Sequence, residues 1–227
     1  MGSNFSPKSS NIKNLDKNYY SFSTYVSKER MITFWYQINE VLKCKSKNIL
    51  EIGAGPGVVS SVLKNFGLQV TIIDINKKLN PDICVSVHNL DKVFNERYFD
   101  CVLCARVLHH IPFSEFENAI YQIWKVTNNK AILTLPVDDL RIYFSFKITS
   151  RPSIIKTISI PLLVKKTILK LTNKLDNYYY KLWKVNSQKS TSFSRLKTKL
   201  DRLFVIDRVY RIPEDMSHCV FVLTKKY

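Results

Sequence analysis

The chain has 227 residues, 45% hydrophobic content and a formal net charge of +17. Its length suits one α/β domain, or one domain with an elaboration, and its composition suits a packed core. No run of eighteen uncharged apolar residues appears, so no membrane-spanning helix is expected, and the basic excess points either to anionic partners or to a solvated basic surface.

Residues 1–18 are rich in Ser, Asn and Lys and read as a disordered tail without the apolar segment of a secretory signal. The rest, 19–227, reads as one domain. Over 28–43, apolar residues at Ile32, Trp35, Ile38, Val41 and Leu42 have helical spacing, which predicts a helix beside the first strand. Strand and helix signals then alternate. Lys47–Ile52 is the first predicted strand. Val58–Phe66 is a helix ending near Gly67. Gln69–Asp74, Ile83–Val87 and Phe99–Ala105 are strands two to four. Ser114 suits a helix N-cap, with Glu117 completing a capping box, for a helix from Glu115 to about Val126. Lys130–Leu135 is the fifth strand. These strands are apolar on both faces, as in a parallel sheet covered by helices. The alternation breaks over 138–190, which reads as a basic helical insertion or lid. Phe204–Tyr210 and His218–Thr224 follow, joined closely enough to require an antiparallel pair.

Five cysteines (Cys44, Cys84, Cys101, Cys104 and Cys219) form an odd, scattered set, as expected of free thiols in the reducing cytosol. Cys101 and Cys104 match a CxxC pattern but lie three apart on a strand. Their side chains should face opposite sides of the sheet and share no metal. No metal-ligand cluster is evident in the sequence.

The chemistry concentrates at Gly53-Ala54-Gly55-Pro56-Gly57 and at Asp74. Glycines let the backbone turn sharply and approach a ligand closely, and the following helix presents its N-terminal amides. Val58 departs from a phosphate-binding G-x-G-x-x-G pattern, and no Lys-Ser/Thr pair follows, so the turn is not a P-loop. Glu51 ends an otherwise apolar strand. A carboxylate there needs a partner, either an amine-bearing ligand or groups of the chain itself. Asp74 follows Gly53 by 21 residues and can accept both hydrogen bonds of a ribose diol, or serve as a helix N-cap.

Together, ILEIGAGPG, TIIDIN and FDCVLCARVLHHIP resemble the class I S-adenosylmethionine-dependent methyltransferases of the small methyltransferase-domain type, over roughly residues 25–136. The resemblance implies an α/β, Rossmann-like, seven-stranded, mostly parallel sheet of order 3-2-1-4-5-7-6. Strand 7 would be antiparallel, and the helical insertion would fall between strands 5 and 6. It implies S-adenosylmethionine as cofactor. Gly53, Ala54 and Gly55 would pass under its methionine part, Gly57 would also be cofactor-binding, Glu51 would order the loop or meet the amino group, and Asp74 would hold the ribose. Ile75 would lie against the adenine, Ser86 or Asn89 would stand near the adenine amine, and Ala105 would close the site. Arg106 stands where relatives commonly carry an acid or a small polar residue. A cation there opposes a sulfonium unless it turns away or meets the carboxylate. His109 and His110 open the loop after strand 4 and are candidate proton acceptors, with a purely structural role as the alternative for His110.

Residues 141–227 hold 19 Lys/Arg against 5 Asp/Glu, whereas 1–140 hold 16 against 13. Within the basic part, Ile154–Leu175 mixes aliphatic residues with lysines, and Asn177–Trp183 adds aromatic rings. Three readings follow: an amphipathic surface for a membrane or a lipid-like substrate, a nucleic-acid face, or a lid whose apolar side packs on the sheet. Pro161 should divide the segment into two helices. The expected function is methyl transfer to a small-molecule or lipid-linked acceptor in the cytoplasm, peripheral to a membrane if the amphipathic surface is used. A nucleic-acid (RNA) methyltransferase and a non-catalytic interaction module are the alternatives.

Overall fold

The computed structural model describes Tyr20 and residues 25–139, 141–146, 154–159 and 182–227. Helix α1 (Lys28–Lys43) leads into β1 (Asn48–Ile52), α2 (Val58–Asn65), β2 (Gln69–Asp74), β3 (Ile83–Cys84) and β4 (Phe99–Ala105). After these come α3 (Phe116–Val126), β5 (Thr127–Pro136), β6 (Arg141–Phe146), β7 (Ile154–Ser159), α4 (Phe193–Asp201), β8 (Phe204–Ile212) and β9 (Asp215–Lys225). The main sheet runs β3-β2-β1-β4-β5-β9-β8. Counted within that sheet alone, this is the expected 3-2-1-4-5-7-6. The first five strands are parallel, and β9 pairs antiparallel with both β5 and β8.

Alternation along the central strands builds one core on each face. On one side Leu50, Ile52, Val102 and Cys104 pack with Phe116, Ile120 and Ile123 of α3. On the other, Ile49, Cys101 and Leu103 pack with Val41 of α1 and with Val59 and Leu63 of α2. Cys101 and Cys104 therefore face opposite sides, as their spacing predicts. Lys225 is buried at the end of β9. Its ammonium donates to the carbonyls of Thr127 (2.8 Å) and Lys125 (3.4 Å) and lies 4.4 Å over the Trp124 ring. It thereby caps the C-terminal end of α3.

Four expectations are corrected. The buried positions of α1 include Thr33, Gln37, Glu40 and Val41, while Trp35 (57% exposed) and Leu42 (41%) face outward. The reason is long-range: Glu40 accepts from Arg208 (2.5 Å) and Tyr210 (3.1 Å) of β8 and so turns a polar face inward. Ser114 does not cap a helix, because a 3-10 turn at Phe113–Glu115 precedes α3. The stretch 191–203, for which no element is expected, forms α4, with the Ser192 side chain accepting from the Arg195 amide.

The last correction concerns the insertion. Residues Arg141–Phe146 and Ile154–Ser159 form a two-stranded antiparallel hairpin rather than helix. The β-branched Ile154, Ile155, Thr157 and Ile158 favour strand. The tail at 1–18, Pro161 and the lysines from Lys165 to Lys174 lie outside the described residues. Trp183, expected on a basic-aromatic face, is buried. Its indole N–H donates to the Ile111 carbonyl (3.0 Å), and its ring stands edge-on to Phe113 and Phe116.

Candidate functional site

A cavity of about 250 Å³ opens at the carboxyl ends of β1, β2 and β4. Ligands of open α/β sheets bind at this edge, where the strand order reverses. The turn after β1 forms its floor. Gly53, Gly55 and Gly57 have φ of 71°, 57° and 72°, a left-handed backbone that suits glycine. The Gly53 amide donates to the Ile73 carbonyl (2.8 Å), tying the turn to β2. A Cβ on Gly53 would come within 2.3 Å of a Val107 methyl. One on Gly55 would meet the Tyr20 ring (3.3 Å) and the Tyr25 hydroxyl (3.4 Å), so two tyrosines lie over the turn. Gly57 stands outside the cavity lining and instead begins α2 as its N-cap.

Glu51 lines the cavity at 5% exposure, and its Oε2 has no hydrogen-bond partner. Burial pushes its carboxyl up to about 7, with Ser60 and Lys64 only partly opposing the rise. An unpartnered buried carboxyl oxygen on a residue that lines a cavity is what an ammonium-bearing ligand would satisfy. Asp74 also faces the cavity. Its Oδ1 accepts from the Asn76 amide (2.8 Å), and burial raises its carboxyl. The helix cap beyond β2 is Asn76, whose side chain accepts from the Lys78 amide, so Asp74 is not an N-cap. Ile75, 39% exposed, offers a flat apolar contact at the same rim.

Ser86 and Ala105 line the cavity as expected; Asn89 does not. It lies in the 3-10 segment Val87–Lys92, its amide bonded to the Ser86 carbonyl, and it is removed from the site by that turn. His109 and His110 both line the cavity, with ring centroids 4.1 Å apart. His109 is 2% exposed, and its carbonyl accepts from the Leu182 amide, which anchors the returning chain beside the site. Among the described residues no group of three His, Cys, Asp or Glu gathers as a metal site.

Sequence reasoning missed the contribution of α1. Arg30, Phe34 and Gln37 line the cavity, and the Arg30 guanidinium lies 3.9 Å over the Tyr25 ring. The available signal was a polar residue, Gln37, at a helical position between apolar turns. Arg106 also lines the cavity, at the left-handed φ of 61°. Its guanidinium lies 3.8 Å from Asp215. Burial alone would raise the Asp215 carboxyl, yet His218, Ser217 and Arg106 together hold it well below the usual range. The Arg106 charge thus has a carboxylate partner at the turn between β8 and β9.

This sheet order, with a glycine turn after β1 and an acid at the end of β2, is that of an α/β protein of the methyltransferase class. Residues 30–183 match the family model of a methyltransferase domain, and the chain belongs to that family. An uncharacterised protein of Methanocaldococcus jannaschii is 29% identical over 120 residues, which are 49% of this chain and 52% of that protein. The chain therefore matches about half the length of this relative. Among solved structures, the 1,6-didemethyltoxoflavin-N1-methyltransferase of Burkholderia thailandensis superposes with a TM-score of 0.61 at 12% identity, over 96% of this chain and 87% of that one. The magnesium protoporphyrin IX methyltransferase of Synechocystis PCC 6803 gives 0.60 at 14% identity, over 87% and 84%. Both were crystallised with S-adenosylhomocysteine, and the likeness shows the shared fold.

Proposed function

We propose that this chain is an S-adenosylmethionine-dependent methyltransferase acting on a small-molecule or lipid-linked acceptor. One observation carries the reading: a single cavity gathers the glycine turn, the unpartnered carboxyl oxygen of Glu51 and the carboxylate of Asp74. Those groups fit an amino-acid–nucleoside ligand. Glu51 would accept from its ammonium, Asp74 would accept from its ribose hydroxyls, and Ile75 and Val85 would flank its base. Arg30, beside the tyrosines over Gly55, is placed to meet its carboxylate. The cofactor supplies a methyl group on a positively charged sulfur, which needs an aligned nucleophile more than it needs acid–base help. The chain's task is then to hold the acceptor atom in line and to keep water out. His109, His110 and Ile111 also line the cavity, and either histidine would take a proton from a hydroxyl or amine acceptor held beside it.

Trp183, the one ring of the basic-aromatic stretch among the described residues, is buried rather than offered to a nucleic acid, which favours a small acceptor or the head of a lipid-linked one. Calorimetric titration with S-adenosylmethionine tests the reading. Saturable heat and a raised melting temperature are expected. Absence of both would leave the non-catalytic module as the surviving account. Salt-steep RNA binding with RNA methylation would establish the nucleic-acid alternative instead.

A further inference from the structure

The hairpin β6–β7 stands apart from the main sheet and pairs only with itself among the described strands. Phe144 and Phe146 are 58% and 66% exposed, and Ile158 is 58% exposed. Phe144 and Phe146 are two residues apart and so share a face. Ile158 pairs with position 142, two residues before Phe144, and falls on the same face. Three large apolar side chains therefore lie side by side in the open, on a strand pair bonded to no other described strand. Scattered exposed apolar residues need no explanation, but a contiguous set on one face marks an interaction surface.

Charge identifies the partner. The twelve residues of the two strands include Arg141 and Lys156 and no acid. Residues 141–181 as a whole carry nine Lys/Arg against one Asp, so about half of the formal net charge of +17 comes from less than a fifth of the chain. Apolar side chains set among basic residues match the boundary between anionic headgroups and acyl chains. Nucleic acid is the poorer fit. It would use the basic charge, but the exposed set includes Ile158, whose branched aliphatic side chain offers no flat face for a base to stack on.

We propose that β6–β7 docks the protein on an anionic lipid surface, with Phe144, Phe146 and Ile158 entering the headgroup region. The hairpin leaves the sheet just past the carboxyl end of β5, where Asp139 is held by both oxygens on Arg211 (2.7 and 2.8 Å). This is the edge at which the cavity opens, so docking sets the site close to the bilayer. Docking of this kind depends on neither the acceptor nor the cofactor assignment.

The test is co-sedimentation of the full chain with phosphatidylcholine vesicles, with and without about a third of phosphatidylglycerol, across a salt series. Binding to the anionic vesicles that weakens as salt rises is expected. The Phe144→Ser/Phe146→Ser double variant should bind about tenfold more weakly, with the melting temperature and S-adenosylhomocysteine affinity unchanged. A Phe146→Trp variant gives a second readout that keeps the surface apolar: the emission of its new indole should shift to the blue on anionic vesicles. No sedimentation with anionic vesicles overturns the proposal, as does a double variant that binds as the parent does. Indole emission that vesicles leave unmoved in the Phe146→Trp variant, or single-stranded RNA binding in place of vesicle binding, overturns it equally.

Discussion

Replacing Glu51 with Gln should make the unliganded protein more stable at alkaline pH while weakening its hold on the cofactor. Burial lifts the Glu51 carboxyl from 4.5 to about 7, so between those values the folded chain binds its proton more tightly than the unfolded chain does. The stabilising contribution of the proton is complete below about 4.5 and is lost as pH climbs through about 7. At about 1.4 kcal/mol per pH unit, the loss between pH 5 and pH 8 is about 2.5 kcal/mol. Gln keeps the shape and cannot ionise. The difference in melting temperature between variant and parent should therefore grow by about 5–10 °C from pH 5 to pH 8. The assay is thermal unfolding across that range, with and without S-adenosylhomocysteine. In the parent, the ligand's ammonium should restore the lost stability, and affinity should rise as pH passes through about 7. In Glu51→Gln, affinity should fall by about tenfold or more with the charge-assisted contact gone. A variant whose difference from the parent is the same at pH 5 and pH 8, or which binds the ligand as tightly, would refute the argument.

Asp74→Ala should lower S-adenosylhomocysteine affinity by about a hundredfold, read by calorimetry, because two hydrogen bonds to a carboxylate are lost at once. Unchanged affinity would remove Asp74 from the ribose role. Gly53→Ala should cost about 2 kcal/mol or more, from the left-handed backbone and the contact with Val107; Gly57→Ala, whose nearest side-chain atom is 3.4 Å away, should cost about 1 kcal/mol, and denaturant melts would rank them. Glu40→Ala should destabilise by about 2 kcal/mol in the same assay, since it strips Arg208 and Tyr210 of their shared acceptor, with the exposure of Arg208 moderating the loss. Lys225→Met should cost about 1–2 kcal/mol by leaving the carbonyls at the end of α3 without a donor.

Local features were legible in the sequence where the signal was itself local. The apolar run before Gly53, the acid ending Gln69–Asp74 and the short connection between the last two strands each carry their geometry in a few residues. The face of α1 was not legible, because Glu40 is drawn inward by residues some 170 positions later. Arg30 lines the cavity together with the glycine turn, a meeting of distant segments that no spacing within α1 announces. The hairpin reads as helix because Ile154, Ile155 and Ile158 have helical spacing, and over six residues only their β-branching favours strand. Asn89 is a site candidate only through the resemblance, which offers it as the alternative to Ser86 near the adenine amine. Strand β3 ends at Cys84, and the 3-10 segment that follows carries Asn89 away.

The long excursion after β5 leaves and re-enters the sheet through a single neck. Val137 and Val185 are bridged, the Val185 amide donates to the Pro136 carbonyl (2.9 Å), and the Asp138 amide donates to the Val185 carbonyl (2.8 Å). With its two ends already side by side, the sheet is indifferent to how much chain lies between them, since closing a longer loop costs only slowly more entropy. Such a neck is a graft point. Descendants of one ancestor could exchange whatever hangs from it, altering what the site meets and where in the cell it works, while the half that carries the glycine turn is inherited untouched.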